Sequence, residues 1–225
     1  RSPRLVQALA AASVKRGARF AEGTWATAFE LAGDRVVGVR TPAGVLRAET
    51  IVLAAGVWSG DLARSAGLRL PIGPVKGQII TLRALNRVPR QVIWSGECYL
   101  VPKVDGQVIL GATEEDGNYD RRPTLAGVGR LTEAALKFLP LAGQFTFEGS
   151  WAGLRPAAPD RYPIVGRAPN QGNLILATAH FRNGVLLGPL TGRWVADFIQ
   201  TGVLAPELAP FGPERFRGEP GSQEL

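Results

Sequence analysis

The chain has 225 residues, 45% of them hydrophobic, with 26 Lys and Arg against 19 Asp and Glu for a formal net charge of +7, and with 28 Gly and 17 Pro. A disordered chain needs fewer apolar residues and a larger charge excess, and a collagen or solenoid needs a Gly or Leu period that is absent, so the chain is globular and long enough to bury a core. Of the basic residues 22 are Arg and four are Lys, scattered singly or in pairs such as Arg121-Arg122 and never interleaved with aromatics in a stripe, which argues against a nucleic-acid partner.

Ser2-Pro3, the apolar residues Leu5, Val6, Leu9, Ala12 and Val14, and a stop at Gly17 predict a helix over 3–16. Short β-branched or alternating runs at 18–22, 26–32, 36–40, 44–46 and 50–54, with Gly33-Asp34 as a turn, predict strands. The run Thr50-Ile-Val-Leu-Ala-Ala-Gly56 does not alternate; it predicts a strand buried on both faces that ends in small residues where a ligand approaches the backbone. From 71 to about 150 the pattern alternates at 78–82, 91–95, 99–102 and 107–111, with a hairpin turn at Asp105-Gly106, and predicts an antiparallel sheet. One helix interrupts it over 124–138, capped by Thr124. Residues 151–166 read as a proline-rich connector, 173–177 as a short strand, and 184–199 as a helix apolar enough to be buried. The fold class is therefore mixed, α+β / α/β.

The loop Ala179-His180-Phe181-Arg182-Asn183-Gly184, between that last strand and helix, carries most of the concentrated polar chemistry. A helix opening there presents free N–H groups and the positive end of the helix dipole, which suit an anion. Glycine at 184 is equally consistent with a simple helix start. No G-x-G-x-x-G is present, since Gly127-Val128-Gly129 falls inside a predicted helix, so the dinucleotide fingerprint is missing from this chain. Arg155, before Pro156, reads as an arginine on a proline-locked turn, suited to bidentate capture of a carboxylate or to a structural ion pair. Tyr99 lies in an alternating strand and faces either core or cleft, and His180 is a loop histidine or a base. Glu114-Glu115-Asp116 reads as a solvated loop. Cys98 has no neighbouring base, and with one Cys and one His in the chain neither an internal disulfide nor a metal site is expected. No apolar run approaches the ~20 residues of a membrane span, no signal peptide is recognisable, and a cytoplasmic location is expected. There is no methionine, even at the start, so the chain is expected to be the carboxyl-terminal part, or a segment, of something longer.

Thr50-Ile-Val-Leu-Ala-Ala-Gly-Val-Trp-Ser59, Pro74-Val-Lys-Gly77, Tyr99-Leu-Val-Pro102, Gly111-Ala-Thr113, Trp151-Ala-Gly-Leu-Arg-Pro156 with Asp160 and Pro163-Ile-Val-Gly166, and His180-Phe-Arg-Asn-Gly184 stand together in one order. In that order and spacing the chain resembles bacterial glycine oxidases, of the flavin-dependent D-amino-acid oxidase superfamily, from about 1 to 200. The resemblance implies a flavin-binding, glutathione-reductase-like domain divided over 1–78 and 152–217, an antiparallel substrate domain over 79–151, and a tail at 218–225. It also implies that the Gly-rich loop holding the adenosine diphosphate of FAD lies in an N-terminal segment missing from this sequence, so that apolar faces such as Ile51, Leu53 and the strand at 174–177 are expected to be exposed.

By the same resemblance Arg155 matches the arginine that binds the substrate carboxylate, Tyr99 the tyrosine that helps hold it, and Arg182 a residue near the substrate. Ala55, Gly56, Trp58, Gly77, His180, Arg182, Asn183, Gly184, Val185 and Leu186 are the implied cofactor-binding positions. The implied cofactor is FAD and the implied reactants are a small amino acid and O₂. Hydride passes from the amino-acid Cα to flavin N5, O₂ becomes hydrogen peroxide, and the imine hydrolyses to an oxoacid and ammonia, in thiamine biosynthesis or amino-acid catabolism. A homo-oligomer fits the family, and an inactive remnant or binding module is the alternative. Two departures bear on the substrate: Glu97 stands where some members have histidine, and Glu114 where an apolar residue often lines the pocket. Glycine, sarcosine, other small D-amino acids and proline-like imino acids therefore all stay open.

Overall fold

The computed structural model describes residues 2–84, 90–117 and 119–216. The expected tail at 218–225 lies outside the described residues. The fold divides into two units, one from 1–72 and 158–225, the other from 73–157.

The first unit opens with helix α1, Ser2–Val14, which stops where expected: Gly17 takes φ 90° and Ala18 N–H bonds back to Ser13 O at 3.1 Å. The strand expected at 18–22 is absent, because this exposed stretch follows the helix stop without reaching a ladder. Three antiparallel strands follow, β1 Ala28–Ala32, β2 Arg35–Thr41 and β3 Gly44–Arg47. Then come β4, Ile51–Leu53, and the short helix α2, Ser59–Arg64.

The second unit contains β5 Gly73–Arg83, β6 Ile93–Trp94, β7 Tyr99–Pro102, β8 Gln107–Gly111, β9 Glu115–Asp116, helix α3 Leu125–Phe138 and β10 Thr146–Ala157. The chain returns to the first unit with β11 Ile164–Ala168, β12 Gln171–Thr178 and helix α4 Gly184–Thr201.

In the first unit β12 is central, antiparallel to β11 and parallel to β4. The sequence predicted β4 as buried on both faces and, with β12, as an apolar surface left open. Both expectations are corrected. Val52 is 37% exposed, because so short a strand alternates and turns only Ile51 and Leu53 inward. Those two, with Leu174 and Leu176, are buried under Phe29, Val36, Ala63 and Ala66. The open apolar surface is instead on the helices. None of the α1 residues is buried, and α4, expected to be buried, buries only Thr191 and Phe198 while Val185, Leu186, Leu190 and Ile199 stay exposed. Composition alone does not specify burial; the stripe that meets β12 does.

One side chain ties the β1–β3 ribbon to the central strand. Asn173, buried at the start of β12, accepts from Val36 N–H at 3.1 Å and donates to Val36 O at 2.6 Å and to Glu49 O at 2.9 Å. Asn173→Ala leaves three backbone groups without that partner. It is expected to cost about 2–4 kcal/mol, read as a lower urea midpoint with an unchanged m-value.

In the second unit the strand order is β10-β5-β8-β7-β6, all antiparallel, with β9 pairing β5. Strands β7 and β8 match the expected segments, and their connection turns at Gly106 with φ 79°. Thr124 caps α3 by accepting from Gly127 N–H at 3.1 Å. Leu131, Ala134 and Ala135 of α3 pack on Ile80, Leu82, Leu100, Val108 and Leu110. Alternation places these five on one face of the sheet. The connector expected at 151–166 is corrected: Trp151 to Ala157 continues strand β10, paired with β5 along its length.

Among the described residues no helix is long and apolar enough to cross a membrane, and no group of three or more His, Cys, Asp or Glu side chains is placed to hold a metal ion.

Candidate functional site

The register of the second unit determines which side chains share the face opposite α3. Residues directly opposite one another in an antiparallel pair point to the same side. One row runs Trp94, Tyr99, Gly111, Ile79, Trp151 across five strands. Arg155 pairs with Val75 and Gly153 with Gly77, so both belong to the same side, opposite the face that packs on α3. Tyr99 and Arg155, expected on grounds of resemblance to hold one carboxylate, therefore rise from one face.

Two glycines make room for them. A Cβ at Gly111 would lie 2.9 Å from the Tyr99 hydroxyl, and one at Gly77 would lie 2.6 Å from Arg155 Cζ, so the phenol and the guanidinium lie directly over bare backbone. Trp94 stacks on Tyr99 with ring centroids 5.4 Å apart. Arg155 is on a strand, not on the turn expected from Pro156. Pro156 is accommodated because β10 ends the strand order, where a missing N–H leaves no ladder bond unmade. Arg155 Nη1 donates to Thr113 O at 3.1 Å. Glu97 and Glu114, the two departures, are both exposed.

The acidic run at 114–116 is not wholly solvated, which corrects the sequence reading. Glu115 accepts from Thr113 Oγ1 at 2.6 Å and from Gln78 Nε2 at 2.8 Å. Burial pushes its carboxyl up, but these two bonds, with Lys76 and Arg130 nearby, hold it below the usual carboxylate range. Lys76 itself is buried in β5 and donates to Arg122 O at 2.7 Å.

In the first unit a second group of residues gathers at the carboxyl ends of the parallel strands β4 and β12, the end of an α/β sheet where ligands bind. After β4, Ala55 leads to Gly56 with φ 58° and a single 3-10 turn to Trp58. Thr178, at the end of β12, donates to Gly56 O at 3.2 Å and shares a 2.9 Å hydrogen bond with Ser59. These bonds bring the Ala55–Gly56 turn beside the start of the 179–184 loop. That loop holds two non-glycine residues in the left-handed region, Ala179 at φ 58° and Phe181 at 49°, a strain of about 1–3 kcal/mol each. The Arg161 and Arg182 guanidinium carbons lie 4.8 and 5.8 Å from the Phe181 ring centroid. His180 Nε2 is 2.9 Å from Thr191 Oγ1, pinning the loop to α4, and burial lowers its pKa so that it is neutral at pH 7.

The α4 start is open. Asn183 supplies no side-chain cap, the first turn has no acid, and Gly184, Val185 and Leu186 are exposed. No side-chain cap or acid therefore competes with an anion, or with developing negative charge, for the positive end of the α4 dipole.

The structure thus collects the expected residues in two sets, Tyr99, Arg155 and Gly77 in one unit, and Ala55, Gly56, Trp58, His180, Arg182, Asn183, Gly184, Val185 and Leu186 in the other. Sequence reasoning missed Gly111, Gln78, Thr113 and Glu115 in the first set and Thr178 and Ser59 in the second. The residues Gly111 to Thr113 were within a recognised motif, but only strand register assigns them neighbours.

Residues 1–198 match the family described as DAO, FAD dependent oxidoreductase. The chain is 38% identical over 216 residues to the glycine oxidase of Pseudomonas putida, covering 95% of this chain and 59% of that protein. It is 34% identical over 221 residues to the hydrogen cyanide synthase subunit HcnC of Pseudomonas aeruginosa, covering 97% and 53%. The crystal structure of glycine oxidase from Geobacillus kaustophilus superposes with a TM-score of 0.90 at 36% identity, covering 96% of this chain and 58% of that one. The chain therefore spans between 53% and 59% of the length of these relatives.

Proposed function

Because the chain belongs to the family of FAD-dependent oxidoreductases, we propose that it serves the oxidative deamination of glycine or another small amino acid, in thiamine biosynthesis or amino-acid catabolism. Amino acid, O₂ and water give the oxoacid, ammonia and hydrogen peroxide. The observation that carries this reading is the shared sheet face of Tyr99 and Arg155, each over a glycine. The guanidinium donates to both oxygens of a carboxylate and the phenol donates to the same group. Anchoring one end of a small substrate this way restricts its amine and Cα to few orientations, which is how a site without a general base accelerates a reaction. His180 fits that view, its Nε2 being committed to Thr191.

The residues of the first unit fit a flavin. Bare backbone at Gly56 and Gly184 admits a flat ring, and the uncapped α4 start offers the positive end of its dipole without a competing acid. Ala55, Gly56, Trp58, His180, Arg182, Asn183, Gly184, Val185 and Leu186 are proposed to hold it; Gly77 is also proposed as a cofactor-binding position, and Arg182 as a residue near the substrate. Bound FAD supplies the two-electron acceptor. Helix α4 contributes fixed dipoles that stabilise negative charge as it develops, at no reorganisation cost.

The test is anaerobic mixing of the flavin-loaded protein with glycine. Bleaching of the flavin band is expected, with peroxide appearing in step with glycine consumed once air is admitted. A flavin that stays oxidised with glycine, sarcosine, proline and small D-amino acids sinks the reading.

A further inference from the structure

We infer that Thr113 is a positioning residue for Arg155: its hydroxyl, held between Gln78 and Glu115, fixes the carbonyl that orients the guanidinium for carboxylate capture. This rests on the role proposed above for Arg155. Strand β8 ends at Gly111, yet Thr113 N–H still donates to Gln78 O at 3.2 Å. The Gln78 N–H then finds the Thr113 hydroxyl as acceptor at 2.9 Å, and the same hydroxyl donates to Glu115 at 2.6 Å. Only a hydroxyl both accepts and donates at one point; valine, of similar shape, does neither.

The Gln78 amide extends the restraint to α3. Its Nε2 donates to Glu115 at 2.8 Å and to Thr124 Oγ1 at 3.0 Å, and its Oε1 accepts from Thr124 N–H at 2.8 Å. Gln78 and Thr113 are 1% and 8% exposed, so water does not substitute freely for these bonds. The Thr113 carbonyl is thereby fixed to the capped end of a helix and a long strand, and it accepts from Arg155 Nη1 at 3.1 Å. A guanidinium is planar, so tying one nitrogen restrains the plane of the whole fork.

A double-mutant cycle on the flavin-loaded enzyme, with glycine as substrate, tests this through Thr113→Val and Arg155→Ala, singly and together. Thr113→Val is expected to raise KM about tenfold with kcat and flavin spectrum held, because misplacing a binding group is costly without removing it. Thr113→Ser restores KM, and with Arg155→Ala already present Thr113→Val changes KM no further. An equal rise in both backgrounds overturns the inference. So does an unchanged KM for Thr113→Val where Arg155→Ala raises it, and then the reading of Arg155 stands. An unchanged KM for Arg155→Ala overturns both. Should Thr113→Val not fold, Glu115→Gln keeps the shape and weakens the acceptor. It is expected to raise KM about threefold only when Arg155 is present, and a rise independent of Arg155, or none, overturns the inference.

Discussion

Replacing Arg155 by alanine in the flavin-loaded protein is expected to raise the KM for glycine, the substrate class proposed above, by about 10²–10³-fold while the flavin spectrum stays unchanged. The side chain is half-buried, over Gly77 and tied to the Thr113 carbonyl, so it is preorganised before substrate arrives. Little rotamer entropy is then lost on binding, and the full strength of two charge-assisted bonds goes into affinity. Arg155→Lys retains the charge but not the planar fork and is expected to recover only part of the loss. The separation of KM from flavin retention is the informative part. If KM is unchanged, the carboxylate is held elsewhere and the sheet face is not the substrate site. If flavin is lost as well, Arg155 acts on the fold before it acts on substrate.

The parts of this fold legible in the sequence are those specified by nearby residues. Strands β7 and β8 alternate cleanly on either side of Asp105-Gly106, and Thr124 caps a helix whose apolar spacing is regular, so each element follows from a window of about a dozen residues. Pro156 was misleading for the opposite reason. Proline excludes a central strand position but not an end one, and whether β10 lies at the end of the order depends on β5, about 75 residues earlier. The apolar run of α4 has the same ambiguity. Its composition predicts burial, yet only Thr191 and Phe198 are buried among the described residues.

The site divides along the same line. Family membership was legible because several short motifs stand in one order, and the same family is matched over residues 1–198. The couplings inside the site were not legible. Glu114-Glu115-Asp116 reads as a charged turn until β9 is paired with β5, which carries the Glu115 carboxylate to Gln78 and Thr113. Thr178 and Ser59, 119 positions apart, are brought within 2.9 Å only because β12 and β4 run parallel and end together. Contacts of that kind require the whole sheet, and no local pattern announces them.

Gly77→Ala separates the two roles proposed for this glycine, as the floor beneath Arg155 and as one of the residues that hold the flavin. The added methyl would lie 2.6 Å from Arg155 Cζ, well inside any normal contact. What it meets is the far end of a flexible side chain, not backbone, so the guanidinium moves and the strand does not. Alanine is tolerated in a strand at this backbone geometry, and the buried β5 ladder to β10 is left intact. The expected result is a folded protein that keeps its flavin and whose KM rises about 10²-fold, the scale of a misplaced binding group. A variant that instead loses flavin with KM preserved assigns Gly77 to the cofactor. If neither changes, the guanidinium has room to reorient, and its close approach to the glycine is not what positions it. Arg155→Ala in the Gly77→Ala background completes the argument: if the glycine acts through the arginine, removing both costs no more than removing the arginine alone.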